Sequence, residues 1–179
     1  MNNTETKMIL SVIKAAYPHS FKDMTRRDAD AMVSLWERSF ADVPYDMVNA
    51  AVAALIVTRT AGYSPTVGEV KEQISKLSSV NELSEIEAWA LVSKACANGL
   101  YGYRKEFAKL PPEVQRAVGS AEQLRDWAMM DAETVQSVVA SNFMRNYRTR
   151  LARDKELAML PPDVRNLISG TVERLKLGE

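Results

Sequence analysis

The chain has 179 residues, 46% apolar and 26% charged, the balance of a soluble globular protein, and this length allows one ordinary domain or two small ones. Lys plus Arg and Asp plus Glu are each 23, so net charge is zero, which excludes a protein whose whole surface binds nucleic acid and leaves only a local patch open. One cysteine, Cys96, and one histidine, His19, exclude an internal disulfide, a CxxC metal knuckle and a two-His metal site.

Helical periodicity runs almost throughout, with no long β-branched alternation. Met8, Ile9, Val12, Ile13, Ala16 and Tyr17 form the first stripe, ended by Pro18. Thr25-Arg-Arg-Asp28 caps a second helix carrying Ala29, Met32, Val33, Trp36 and Phe40 on one face. Pro44 suits the first turn of a third, whose stripe is Val48, Val52, Leu55 and Ile56. Gly62-Tyr-Ser-Pro65 breaks it, and Thr66-Val-Gly-Glu69 is a capping box for a fourth with Val67, Val70, Ile74 and Leu77 inward. The polar residues 78–81 mark the best boundary, separating domains at 1–80 and 81–179.

Beyond it, Ser84-Glu-Ile-Glu87 is another capping box, opening a helix with Ile86, Trp89, Val92 and Ala95 and stopping at Asn98-Gly99. The aromatic segment 100–110 holds a short helix, and a second short one ends at Gly119. Ser120 caps the next, and Asp131 opens a long helix to about residue 158, followed by a last one over 162–175. The expected fold class is all-α, in two small helical subdomains with no sheet. Phe107-Ala-Lys-Leu-Pro-Pro-Glu-Val114 matches Leu157-Ala-Met-Leu-Pro-Pro-Asp-Val164, with Phe40-Ala-Asp-Val-Pro-Tyr-Asp-Met47 a looser third copy; matching stops outside the corner, which favours one helix–corner–helix solution reused over a duplication.

Charge is uneven: residues 81–140 carry six basic and nine acidic side chains, residues 141–179 eight and five. The basic excess lies on the long helix at Arg145, Arg148, Arg150, Arg153 and Lys155, with Tyr147 among them, and these six residues are the candidate partner-binding set. Val135, Val139 and Phe143 share one side of a helical wheel, with Arg145, Arg148 and Lys155 broadly opposite. Arg150 and Arg153 fall near the apolar side, so the buried stripe weakens or rotates after Tyr147. The alternative is a solvated face with internal pairs to Asp154 and Glu156.

Catalytic groups do not converge. Asp28 and Asp30 are two apart on a helix and point to different sides. Asp46 with Glu69-Val-Lys71 loosely resembles a nuclease carboxylate–Glu-x-Lys set, but that set sits on strands and Glu69 already has a capping role. His19 is a loop residue and Cys96 a small packed one. No GxxxxGK[ST] or GxGxxG loop occurs, so the common nucleotide cradles are missing and no cofactor or metal is expected. The pair over 44–77 has helix-turn-helix spacing, yet its second helix offers only Lys71 and Lys76 beside Glu69 and Glu72. Neither a secretory leader nor a membrane-spanning run is visible, so the expected location is cytoplasmic, with no membrane partner.

Ile13-Lys-Ala-Ala-Tyr-Pro18, Trp36, Phe40-Ala-Asp-Val-Pro-Tyr45, Ala51-Val52, Ile56-Val-Thr58 and Tyr63-Ser-Pro-Thr-Val-Gly-Glu-Val70 together resemble the N-terminal domain of bacteriophage helicase loader/inhibitor proteins, over about residues 5–77. The chain has Tyr63-Ser64-Pro65-Thr66 where that family has aromatic-Pro-Pro-Thr. Residues 85–165 are similar to the C-terminal region of longer phage and prophage relatives. The resemblance implies a non-enzymatic adaptor that binds a DnaB-type hexameric replicative helicase of host or phage, restrains it, and loads it with an origin-binding protein. A DNA-binding replication or regulatory protein, using the 44–77 pair or the basic helix over 145–155, is the alternative, and weak nucleic-acid contact stays open.

Overall fold

The structure, a computed structural model, describes residues 1–79 and 82–176, with side chains to 172. No strand occurs among the described residues, and the fold is all-α. The backbone divides into two compact units, Met1–Val80 with Glu156–Glu179, and Asn81–Lys155. Residues 156–179, which the sequence reading put in the second domain, group with the first. Of the 78–81 joint, Val80 and Asn81 lie outside the described residues; Ser79 closes the preceding helix, its Oγ donating to the Lys76 carbonyl at 2.9 Å.

The first unit holds α1 (Asn3–Ala16), a 3-10 turn (Pro18–Phe21), α2 (Arg26–Ser39), α3 (Tyr45–Thr58) and α4 (Val67–Ser78). Three of these helices start on reciprocal caps: Asn2 with Glu5, Thr25 with Asp28, and Thr66 with Glu69. Each cap satisfies donors that the first turn leaves unpaired. The four helices bury Ile9, Ile13, Trp36, Phe40, Val48, Val52 and Val70, the Trp36 and Phe40 rings meeting at 5.4 Å. Burying side chains of this size contributes about 1.5–3 kcal/mol each. The stripe of α1 is narrower than its periodicity suggests: Met8 and Val12 are exposed, while Leu10 and Thr6 are buried in their place. Leu77 is likewise exposed, because it lies beyond the core-facing row of Val70 and Ile74.

Chain from α11 (Pro162–Lys176) returns to this unit. Asp163 accepts from Arg38 Nε at 2.8 Å, Arg165 pairs with Asp42, and Lys71 Nζ donates to the Met159 carbonyl at 2.8 Å. Lys71 is only 7% exposed and sits 5.6 Å over the Phe40 ring. These partners are separated by 88 to 125 residues, a pairing no local pattern encodes.

The second unit holds α5 (Glu85–Ala97), α6 (Gly99–Lys109), α7 (Pro112–Val118), α8 (Ala121–Ala128), and α9 (Ala132–Thr134), which continues through a π-helical stretch (Val135–Val139) into α10 (Ala140–Met159), of which the part up to Lys155 belongs to this unit. Ser84 with Glu87, Ser120 and Asp131 cap their helices. Gly119 ends α7 at φ 101°, a conformation that costs any residue with a Cβ. Phe143 gathers the core: Trp89 lies at 5.6 Å, Tyr147 stacks at 5.9 Å, and Trp127 meets it edge-on at 6.4 Å. Such pairs add about 0.5–1.5 kcal/mol each beyond their buried area. Ile86, expected inward, is exposed; the inward row of α5 is Ala88, Trp89, Val92, Ala95 and Cys96. Both Leu-Pro-Pro corners use one geometry, Gln115 N donating to the Pro111 carbonyl at 2.9 Å and Arg165 N to that of Pro161 at 3.0 Å.

Two outcomes follow from the first unit. Among the described residues its apolar core lies between Met1 and Ile74, so we propose that residues 1–80 fold alone. That fragment should melt in one cooperative transition by circular dichroism; an aggregating, molten fragment would contradict this. The second outcome concerns Lys71, whose burial pushes its pKa below the ordinary lysine value, with Arg165 adding to the effect and Asp42 opposing it. The unfolded chain therefore holds that proton more tightly, and wild-type stability rises as pH climbs toward the ordinary lysine value. Lys71→Met abolishes that rise, so the variant's urea midpoint relative to wild type should fall from neutral to alkaline pH. Parallel pH profiles would mean that Lys71 is solvated.

Candidate interaction surfaces

The basic stretch of α10 is set by the row that must face inward. Val135, Val139, Phe143 and Tyr147 are buried at four-residue spacing, and Leu151 continues the row against the core. A row at this spacing rotates steadily around a helix of 3.6 residues per turn. It thereby passes Arg150 and Arg153, which are both exposed.

The six predicted contact residues separate into three groups. Tyr147 is 1% exposed, its hydroxyl donating to the Leu83 carbonyl at 3.2 Å, so it is a core residue of the second unit and not part of a surface patch. Its place in the inward row, together with Phe143, outweighs the arginines beside it in sequence. Arg148 and Lys155 are on the surface but paired: Arg148 makes two hydrogen bonds to Glu85, at 2.5 and 2.7 Å, and Lys155 meets Glu82 at 2.7 Å. The Glu85 carboxyl is held below the ordinary range by the hydrogen bond from Arg148, and the guanidinium is raised in return. Arg150 Nε donates to Asn146 Oδ1 at 3.1 Å, while Arg145 and Arg153 are exposed and form no ion pair among the described residues. The alternative reading paired these residues with Asp154 and Glu156 within the helix; in the structure Asp154 meets Arg116 of α7 at 3.2 Å, and Glu85 of α5 and Glu82 just before it supply the acceptors for Arg148 and Lys155. Leu83, Ser84, Leu151 and Ala152 floor an open groove between these two ion pairs.

The 44–77 pair offers less. Lys71 is buried, and Lys76 is paired with Glu72 at 2.7 Å, so neither lysine of α4 is a free phosphate contact. The carboxylates weighed as catalytic have local roles. Asp28 accepts from Thr25, which holds it below the ordinary range. Glu69 accepts from Thr66 and pairs with Arg59 at 2.9 Å. No group of three or more metal-ligating side chains occurs among the described residues, and no helix among them is long and apolar enough to cross a membrane. His19 is exposed on the 3-10 turn, and Cys96 is buried, its thiol pushed up to about 11 by desolvation.

That thiol should react slowly with iodoacetamide at neutral pH and quickly in denaturing urea, since the thiolate is the nucleophile. Labelling of the native protein at the rate of free cysteine would place Cys96 on the surface.

Residues 1–71 match the family model for the N-terminal domain of the gp39 family of phage helicase loader/inhibitor proteins. No curated protein and no solved structure gave a significant match. The matched segment spans α1 to α3 and the first turn of α4, with its three reciprocal caps and all twelve buried apolar residues of the first core. The chain is thus similar to the phage helicase loader/inhibitor family over residues 1–71, a segment that lies within the first unit.

Proposed function

We propose that this chain is a non-enzymatic adaptor of phage or prophage DNA replication that binds a DnaB-type hexameric helicase, restrains it and delivers it to an origin. The match over residues 1–71 carries this reading. Three features support it. The sequence has no phosphate-cradling loop. Of the acidic side chains weighed as catalytic, Asp28 and Glu69 serve as helix caps, and Glu69 also pairs with Arg59. The all-helical architecture presents side-chain surfaces, which suits a binding module acting in the cytoplasm. An origin-binding protein is the second partner that such delivery requires.

The DNA-binding alternative keeps one specific observation, the two guanidinium groups of Arg145 and Arg153 on α10, which have no carboxylate partner among the described residues. Either partner would use them: an acidic protein surface pairs with guanidinium groups, as do phosphates.

Size-exclusion chromatography of the purified protein with the host helicase, with and without nucleotide, tests the main reading. Co-elution without ATP hydrolysis by this chain is expected; hydrolysis by the chain alone would defeat the mechanism. Reversing Arg145 and Arg153 to Glu should leave the urea midpoint unchanged, because neither has an ion pair to lose. It should weaken helicase binding most at low ionic strength, where surface charge is least screened. Arg148→Glu is the contrasting variant, since it sets a carboxylate against Glu85 and should destabilise the second unit. Loss of DNA binding with helicase binding intact in the Arg145, Arg153 variant would favour the alternative.

A further inference from the structure

The second unit exposes a surface that the helicase reading does not use. Helices α6 and α8 lie antiparallel. A Cβ on Gly99 would stand 3.5 Å from that of Ala128, Arg125 Cζ lies 5.3 Å from the Tyr103 ring centre, and Arg104 reaches Glu122 at 3.5 Å. This register places Leu100 and Tyr101, at the start of α6, at the same end of the pair as Met129 and Met130, just past α8. Tyr101 is 95% exposed, Met129 59%, Leu100 47% and Met130 45%. Isolated exposed apolar residues are ordinary; four that the register gathers at one end of a helix pair are a group of the kind found at association sites. Tyrosine and methionine are the types enriched at such sites, the thioether being able to repack against varied partners.

Beside the patch, Tyr103 lies between two guanidinium groups, Arg104 at 5.6 Å and Arg125 at 5.3 Å from its ring centre. Both are poorly neutralised. Their nearest carboxylates, Glu122 and Asp126, stand at 3.5 and 3.6 Å, longer than a normal hydrogen bond. Arg125 Nε is shielded from solvent with no acceptor among the described residues, so its charge is expressed through the exposed end of the side chain. The ring holds both guanidinium groups in place, which lowers the entropy cost of using them.

We infer that the α6–α8 end, Leu100, Tyr101, Met129 and Met130 flanked by Arg104 and Arg125, is a docking surface for an acidic amphipathic segment of a partner protein. The partner's apolar side chains cover the tyrosine and methionines, and its carboxylates supply the acceptors that Glu122 and Asp126 do not. Charge complementarity requires the acidic group, and the apolar half selects a polypeptide over a nucleic-acid backbone, which would bring phosphates but nothing to cover Met129 and Met130. None of these residues lies within 1–71, so the inference stands apart from the identity of the helicase.

The test uses the full chain and a fluorescent synthetic helix with Leu on one face and Glu on the other, its Lys-for-Glu twin, and labelled oligo-dT. Anisotropy at low ionic strength should show binding of the Glu helix and not of the Lys twin. Tyr101→Ala should weaken it by roughly tenfold, the scale of an interfacial aromatic anchor, and Arg104→Glu with Arg125→Glu by at least as much. Tyr101 is almost wholly solvated, so its loss reads binding even if the arginine variant unfolds, which circular dichroism would reveal. Failure of the Glu helix to bind, equal binding of the Lys twin, or an unaffected Tyr101→Ala would overturn the inference. So would binding of oligo-dT alone with loss on arginine reversal, which would make the surface a nucleic-acid site.

Discussion

The second unit is organised by the need to bury Phe143. Its ring meets Trp89, Trp127 and Tyr147, side chains from α5, α8 and α10 itself, and fixing its direction fixes the rotation of α10. Once Phe143 and Tyr147 point inward, Arg145, Arg148 and Arg153 have nowhere to go but solvent. The same choice lays Arg148 beside Glu85 and Lys155 beside Glu82 at the beginning of α5. The electrostatic character of the helix is therefore a consequence of aromatic packing. Exposed pairs of this kind contribute little to stability, so they decide which charges remain available more than whether the unit folds.

Local features were legible in the sequence because their physics is local. A capping box joins residues three apart, and the boxes at Thr25, Thr66 and Ser84 form as written. The Leu-Pro-Pro corners form for the same reason, since proline's fixed φ and missing donor suit a first helical turn wherever it falls. What failed depended on position in three dimensions. Lys71 reads as a surface lysine of a recognition helix, and it becomes a buried one only because Met159 and α11 return to its side. Tyr147 reads as part of a basic patch because three arginines surround it in sequence. The row Phe143, Tyr147, Leu151 was visible too and was the stronger signal, because a buried ring gains far more than an exposed one. The π-helical turn at Val135–Val139 had no local signature, and it shifts the register of everything after it relative to an ideal wheel.

Neutral net charge takes on a different meaning once the pairs are located. On α10 and its neighbours, Arg116, Arg148 and Lys155 are each met by a carboxylate from elsewhere in the second unit. A surface neutralised in this way has weak general attraction for polyanions. On the same helices a few guanidinium groups stand apart from this pattern among the described residues. They are Arg145, Arg150 and Arg153 on α10, without a carboxylate, and the under-neutralised pair around Tyr103. Selectivity then comes from which guanidinium groups lack a close partner, not from the total charge.

The family match and the compact unit do not share a boundary. The match ends at Lys71, whose ammonium is completed by the Met159 carbonyl. Arg38 and Asp42, both inside the match, are engaged by Asp163 and Arg165, outside it. Among the described residues the buried apolar members of this core end at Val70. The returning segment contacts the matched residues through polar groups. It covers one lysine and occupies two charged side chains at the end of α2 that would otherwise face solvent. A matched segment whose polar surface is partly occupied by later chain presents a different face from that of the segment alone. The charged surface of residues 1–71 is thus set jointly by the matched sequence and by Met159, Asp163 and Arg165, which the match does not include.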